Sequence, residues 1–289
     1  MARHPFGFTT RLRGWIMTIA LGLALAPAWA AAQNIVIVTD VSGNVSGQEK
    51  IAMLSELGAN TRLQIDGGGK LVVIYLASGD EYSFTGPAQV LLQTNGPQML
   101  SGAIPQKKTS VLGKNSAVIV KPVHVTQAAV VMRGIRPAAR IKLLSPAGTR
   151  TLDPSPQFRW EGFEQGLAYH FELTDDTGHA IYAVEIQETN LSLPSSVQLQ
   201  EGATHTWEIS TRTADGRRYV STSDFAVASA AVRSDAQALR PGANASVSER
   251  VAYATWLSRM ELREEARKFW KSLAAERPEE PALKAMVDD

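Results

Sequence analysis

Gly69-Lys70-Leu71-Val72-Val73-Ile74-Tyr75-Leu76-Ala77-Ser78-Gly79-Asp80-Glu81-Tyr82-Ser83-Phe84-Thr85-Gly86-Pro87 is the stretch on which the fold turns. Leu71 to Leu76 is an unbroken apolar run rich in β-branched and aromatic residues, which reads as a buried strand. Ser78-Gly79-Asp80 follows as a turn, because Gly and Asp accept positive φ. Glu81 to Phe84 is a second strand, stopped by Gly86-Pro87. The same rhythm extends in both directions. Upstream, Gln33 to Thr39 opens as a strand, Val41 to Val45 breaks at Gly43-Asn44, and Leu63 to Ile65 precedes Asp66-Gly67-Gly68-Gly69. Downstream, Ala88 to Leu92 runs into Thr94-Asn95-Gly96-Pro97. Only Glu49 to Leu57 carries a trace of helical period. Ser116 to Pro122 and Val123 to Met132 read as additional strands that finish this module or bridge to the next.

Residues 33–135 therefore read as all-β. Gly67-Gly68-Gly69-Lys70 lacks the order and the strand-to-helix context of a phosphate loop, since Lys70 leads into Leu71 and a strand, so it reads as a turn.

Farther on, residues 136–230 show about seven short strands separated by turn signals, the pattern of a β-sandwich. Ile141 to Leu144 opens it. Phe158 and Trp160 alternate, as do Tyr169, Phe171 and Leu173, and Trp207 shares parity with Ile209. Trp160 and Trp207 are expected in the core. Residues 231–289 change character into a linker and a helical hairpin. Val251, Ala254, Trp256-Leu257 and Met260 mark one helical face; Ala266, Phe269-Trp270 and Leu273-Ala274 mark a second, ending before Pro278. Ser248 is the expected cap of the first helix. Glu264 and Glu265 lie early in the second helix and Lys268 and Lys271 later, as the helix dipole favours. One such hairpin cannot bury its apolar face alone; packing on its own sandwich is the expectation, with docking of a partner as the alternative.

At the other end, Arg3, Arg11 and Arg13 precede the apolar run Trp15 to Ala26 and a small-residue stretch. A basic start, a short apolar segment and an A-x-A site make residues 1–32 a secretory signal peptide, cut after Ala30 or Ala32. The run is too short to span a bilayer, so no membrane span is expected after cleavage. The chain has no Cys, which excludes disulfides, thiolate metal sites and a lipid-modified N-terminal cysteine. It carries 29 basic and 28 acidic residues, and removal of the leader leaves 26 against 28. Both signs read as mixed along the chain, which argues against nucleic-acid binding. Lys107-Lys108 reads as loop solvation.

Three resemblances add to this reading. Val38-Thr39-Asp40-Val41-Ser42-Gly43-Asn44-Val45, Leu57-Gly58-Ala59, Thr61-Arg62-Leu63, Gly69 to Leu76 and Gly79 to Phe84 together resemble the FecR-like extracytoplasmic domain, with the usual Asp-Gly of its hairpin reversed to Gly79-Asp80. That resemblance implies a periplasmic module that relays or scaffolds signals by protein contact. The second module, through Ser145-Pro146, Pro156, Phe158 and Trp160 and then Leu199, Gly202, Trp207 and Ile209, is similar to bacterial fibronectin type III and other immunoglobulin-like sandwiches. The hairpin resembles one tetratricopeptide repeat through Ala254, Leu257, Ala266, Trp270, Leu273 and Pro278; it departs at Glu261 and Leu262, where glycine often ends the first helix, and at Leu273, where a small residue is usual.

The expected fold class is mainly β: a FecR-like all-β domain, then an immunoglobulin-like β-sandwich, then a short C-terminal α-hairpin. No serine-hydrolase elbow, zinc-protease helix motif, dinucleotide fingerprint or calcium loop occurs in the sequence. Asp175-Asp176 and Glu279-Glu280 fall at turns or a solvated end. His170, His179 and His205 fall on different parities or turns, so they are not expected to converge on a metal. The expectation is an exported, periplasmic, non-enzymatic protein without catalytic residues, cofactor or metal. Its partner is another envelope protein, not nucleic acid. Carbohydrate or peptidoglycan binding through exposed aromatics is the alternative.

Overall fold

The computed structural model describes residues 34–109 and 140–288. The cleavage positions Ala30 and Ala32 and the strands expected within 116–132 lie outside the described residues. The protein is mainly β, with four sheets followed by C-terminal helices.

In the first region, β1 (Asn34–Ser42) lies between β3 (Glu56–Gly58) and β5 (Lys70–Tyr75), and β6 (Asp80–Thr85) and β9 (Gln106–Thr109) extend the sheet in the order β3-β1-β5-β6-β9. A four-stranded sheet, β2 (Val45–Ser46), β4 (Arg62–Ile65), β7 (Ala88–Gln93) and β8 (Gly96–Ser101), runs in the order β2-β4-β7-β8. Leu71, Val73 and Phe84 of one sheet share a core with Leu63, Ile65, Val90 and Leu92 of the other. The Gly79-Asp80 turn and the β5–β6 hairpin fall where the turn chemistry puts them. Gly43 sits at φ +70°, and a Cβ there would lie 2.8 Å from the Gly69 Cα, so two turns touch through glycine.

Two local expectations fail here. Glu49 to Leu57 is not helical: Leu54 adopts φ +64°, its amide bonds the Val38 carbonyl, and Val38 bonds back to Ser55. The backbone is held by β1 rather than by its own turns, while Ile51 and Met53 are buried. Lys107-Lys108 is not a loop. Both lysines lie on β9, opposite Tyr82 and Glu81 of β6.

The second region is a β-sandwich of eight strands. β10 (Lys142–Ser145), β12 (Gln157–Glu161) and β15 (Asn190–Ser192) form one sheet. β11 (Thr149–Thr151), β17 (Arg218–Val227), β16 (Thr204–Arg212), β13 (Tyr169–Thr174) and β14 (Ala180–Ile186) form the other, in the order β11-β17-β16-β13-β14. The chain crosses between sheets at Pro146 to Gly148, so β11 pairs parallel with β17. Trp160 and Trp207 are both core residues, buried with Phe158, Tyr169, Phe171 and Phe225. Their rings meet edge-on at centroid distances of 5.0–5.7 Å, an arrangement the aromatic quadrupole favours. The Trp207 Nε1 donates to the Pro146 carbonyl at 2.7 Å, so the buried indole is satisfied.

Four helices end the described chain: α1 (Ala230–Leu239), α2 (Val247–Arg259), α3 (Arg263–Glu276) and α4 (Pro281–Asp288). α2 and α3 are the expected hairpin; α1 and α4 are additional. The cap of α2 is Ser246, not Ser248. Ser246 and Glu249 form a reciprocal capping box, which the Ser-x-x-Glu spacing builds and Ser248 cannot. The apolar faces marked by Val251, Ala254, Leu257, Ala266, Trp270 and Leu273 are all buried. They join the core of the first region, not that of the sandwich. The reason is surface chemistry. The face of the five-stranded sheet bearing Ile37 and Ile74 is apolar and needs covering, whereas the sandwich turns polar His170, Glu172 and Glu208 outward. No described helix is long and apolar enough to cross a membrane.

Candidate functional site

Two polar joints hold the helices in place. In the first, a bulge in β1 makes Thr39 an extra residue opposite β5. Its hydroxyl lies 2.7 Å from the Ser248 hydroxyl, which donates to the Glu81 carboxylate at 2.7 Å. Lys108 pairs with Glu249, the capping-box residue; the hydrogen bond between them raises the lysine pKa and lowers that of the carboxylate. Buried Asp40 takes Lys70 at 3.3 Å and Arg277 at 3.4 Å. A groove of about 260 Å³ lined by Glu81, Lys108, Arg240, Glu249 and Tyr253 lies over this joint. Its lysine and the Glu249 carboxylate neutralise each other, so the groove is better matched as a joint than as a charge-reading site.

The second joint ties the sandwich to α3. Leu262 at the start of α3 has no side-chain cap. Thr149 of β11 supplies one: its hydroxyl accepts from the Arg263 amide at 3.1 Å and lies 3.1 Å from the Glu261 carbonyl. The Arg150 amide donates to that same carbonyl at 2.8 Å, and Ser145 donates to Glu264 at 2.9 Å.

The histidines do not converge. His170 lies on the outer sheet face, 2.9 Å from Glu185 and 3.8 Å from Glu172. His179 sits in the β13–β14 turn, where its amide bonds the Asp175 carboxylate. His205 is buried against the Phe225 ring. Among the described residues no three His, Asp or Glu side chains are grouped to hold a metal ion. Asp175 accepts from the amide and hydroxyl of Thr177 and the amide of His179, bonds that lower its pKa and close a turn. Lys70 at the end of the glycine run reaches Asp40.

Two features of the sandwich face solvent. One is a hollow of about 470 Å³ at its loop end, lined by Phe163, Gln165, Tyr169, Gln187 and Thr189 among others. The other is β14, whose outer edge pairs with no strand among the described residues. Tyr182, Val184 and Ile186 lie opposite the buried Leu173, Phe171 and Tyr169, so they point inward, yet each is only half-buried. Glu185 lies on the outer face beside Glu172. The same part of the chain is strongly acidic. From Arg159 to Arg212 the chain holds nine carboxylates and, between those two arginines, no Lys or Arg. The even balance of the whole chain hides this segment, and the expectation of mixed signs fails there.

Neither a family model nor a curated protein matches the sequence. Among solved structures the chain is similar to CopC from Methylosinus trichosporium OB3b, at 14% identity and a TM-score of 0.24, over 31% of this chain and 94% of that one. It is also similar to PorZ, an essential bacterial surface component of the type-IX secretion system of Porphyromonas gingivalis, at 11% identity and a TM-score of 0.21, over 56% of this chain and 22% of that one. At these scores neither likeness bears on function.

Proposed function

We propose that this chain is an exported, non-enzymatic protein of a bacterial cell envelope that acts in the periplasm as a scaffold or signal-relay module through contacts with another envelope protein. The carrying observation is the pairing of a fixed framework with an open edge: Thr149 and Arg150 lock the sandwich to the helices, while β14 leaves half-buried apolar side chains that no other strand of the described residues pairs at its outer edge. A part held rigidly with one edge free is suited to recognition by contact. The leader pattern, the FecR-like order of residues 38–84 and the fibronectin-like order of the sandwich support a periplasmic setting.

Fractionation and pull-down of a C-terminally tagged chain from a Gram-negative host test this directly. The expected product is periplasmic, begins at Ala31 or Gln33, and retains one specific envelope protein under mild washing. An uncut cytosolic product, or recovery of no specific partner, overturns the reading.

A second reading, binding of carbohydrate or peptidoglycan, has one observation in its favour. The loop-end hollow combines the amides of Gln165 and Gln187 and the Thr189 hydroxyl with the Phe163 ring, a mixture that suits sugar hydroxyls and sugar faces. Co-sedimentation with purified cell-wall sacculi separates the two readings: a relay protein stays in the supernatant.

A further inference from the structure

The eight sheet edges of the described residues are not equally protected. β2, β3, β11 and β15 have two or three residues each. β9 carries Lys107 and Lys108, β10 carries Lys142, and β8 contains Pro97. Short length, edge lysines and proline are the devices by which proteins prevent strand addition. β14 has none of them. It is the longest of the eight, with seven residues, and Glu185 is its one charge. A bulge at Ile181 twists its start but leaves Tyr182 to Ile186 in regular register with β13.

We infer that β14 is a docking edge that accepts an extended segment of a partner protein in which apolar and basic residues alternate. The inference rests on the contact reading above and names the chemistry of the contact. An added strand would complete the unpaired backbone groups of Tyr182 to Ile186. Its inward side chains would extend the apolar row of Tyr182, Val184 and Ile186, which the sandwich core leaves half-covered. Its outward side chains would meet Glu185, 72% exposed, and Glu172, 41% exposed. His170 is the one basic group between them, so carboxylates exceed cations at this edge whatever the imidazole's protonation, while farther across the face Glu208 is paired with Arg218. Asp175 and Asp176 in the β13–β14 turn and Glu188 beyond β14 add to the same sign. Cross-strand neighbours of opposite charge favour pairing and like charges oppose it.

That argument also chooses between occupants. Two copies of β14 paired antiparallel would place Glu185 of each on the same face, opposite or diagonal to the other, with no Lys or Arg nearby in the strand to offset them. A partner with lysines or arginines at its outward positions meets no such repulsion.

The test uses the purified mature chain and two blocked synthetic peptides, Thr-Val-Lys-Val-Lys-Val-Thr and Thr-Val-Glu-Val-Glu-Val-Thr. The lysine peptide is expected to slow hydrogen exchange at amides within 182–186 and to bind about tenfold or more tighter than the glutamate peptide at low salt, the preference shrinking as salt rises. Glu185→Lys, at an exposed side chain that leaves the core intact, is expected to shrink the preference at least severalfold, with Glu172 and the flanking carboxylates still in place. Equal binding of the two peptides, absence of binding, or unchanged exchange in 182–186 overturns the inference. So does protection of these amides that grows with protein concentration alone, because the occupant is then a second copy. If Glu185→Lys still retains the envelope partner in pull-down, the edge assignment falls while the contact reading stands.

Discussion

In the first region the helix-facing side of the five-stranded sheet is apolar at Ile37 and Ile74 and is covered by α2, with α3 packed on α2 behind it; in the sandwich the outer face carries His170, Glu172 and Glu208 and is left to solvent. The two regions also treat their edges differently. Among the described residues every edge of the first region is short, lysine-bearing or proline-bearing, whereas the sandwich leaves β14 bare. Burial drives both outcomes. An apolar sheet face must find cover, so it draws in the amphipathic helices; a polar face has no such need, and its sheet stands free. The difference assigns the first region and the helices to framework, and the sandwich to exposure.

The largest test of this contrast is Trp207→Ala. Trp207 is fully buried at the centre of the sandwich aromatics and belongs to a core that includes no helix residue. Its loss should cost about 3–5 kcal/mol of sandwich stability. Urea unfolding followed by hydrogen exchange at the amides of Tyr169–Thr174 and Thr204–Arg212 and by the far-ultraviolet helical signal should show the sandwich melting first, with the helices retained. A single shared transition at the lower midpoint would mean that the two cores are one cooperative unit.

A smaller effect is expected at the joint. Thr149→Val keeps the shape of the side chain and removes the hydroxyl that caps α3. Loss of a cap of this kind costs about 1–2 kcal/mol. The substitution should also sharpen the separation of the two transitions, because the joint is what couples them. An unchanged melt would show that the remaining bonds, Arg150 to the Glu261 carbonyl, Ser145 to Glu264 and Arg233 to Glu201, hold the sandwich to the helices without the Thr149 hydroxyl.

Local features were legible in the sequence and remote ones were not. The β5–β6 hairpin is written in residues 69–87 themselves, because the apolar run and the Gly79-Asp80 turn are neighbours in the chain. The capping box is equally local: Ser246 and Glu249 stand at the right spacing, and Ser248 attracts attention by its position next to Glu249. Glu49 to Leu57 misleads because its Leu54 amide and Ser55 carbonyl both bond Val38 of β1, a pairing that no helical period records. The hairpin's destination depends on which distant sheet face is apolar, and α3's cap comes from Thr149, more than a hundred residues away in sequence. The acidic segment between Arg159 and Arg212 is fully visible in the sequence, but only when charge is counted by region and not over the whole chain.

The smallest expected effect concerns pH and falls on the sandwich alone. His205 is 2% exposed and stacks on Phe225 at 5.5 Å. Burial pushes its pKa below the ordinary imidazole value of 6.5, opposed by the Ala203 backbone and by the carboxylates of Asp176 and Asp175. In the unfolded chain the imidazole takes its proton near the ordinary value; in the fold it does so only at lower pH. Between those two points the unfolded state binds more protons, so stability rises with pH there. The sandwich should hold its full stability above the ordinary value and lose it progressively as pH falls through that value toward the depressed one. His205→Leu should flatten this slope between neutral and mildly acid pH while the helical signal keeps its own pH dependence. A slope unchanged by the substitution would assign the acid sensitivity of the sandwich to its carboxylates, and a slope shared by the helices would show that the framework and the exposed sandwich melt together.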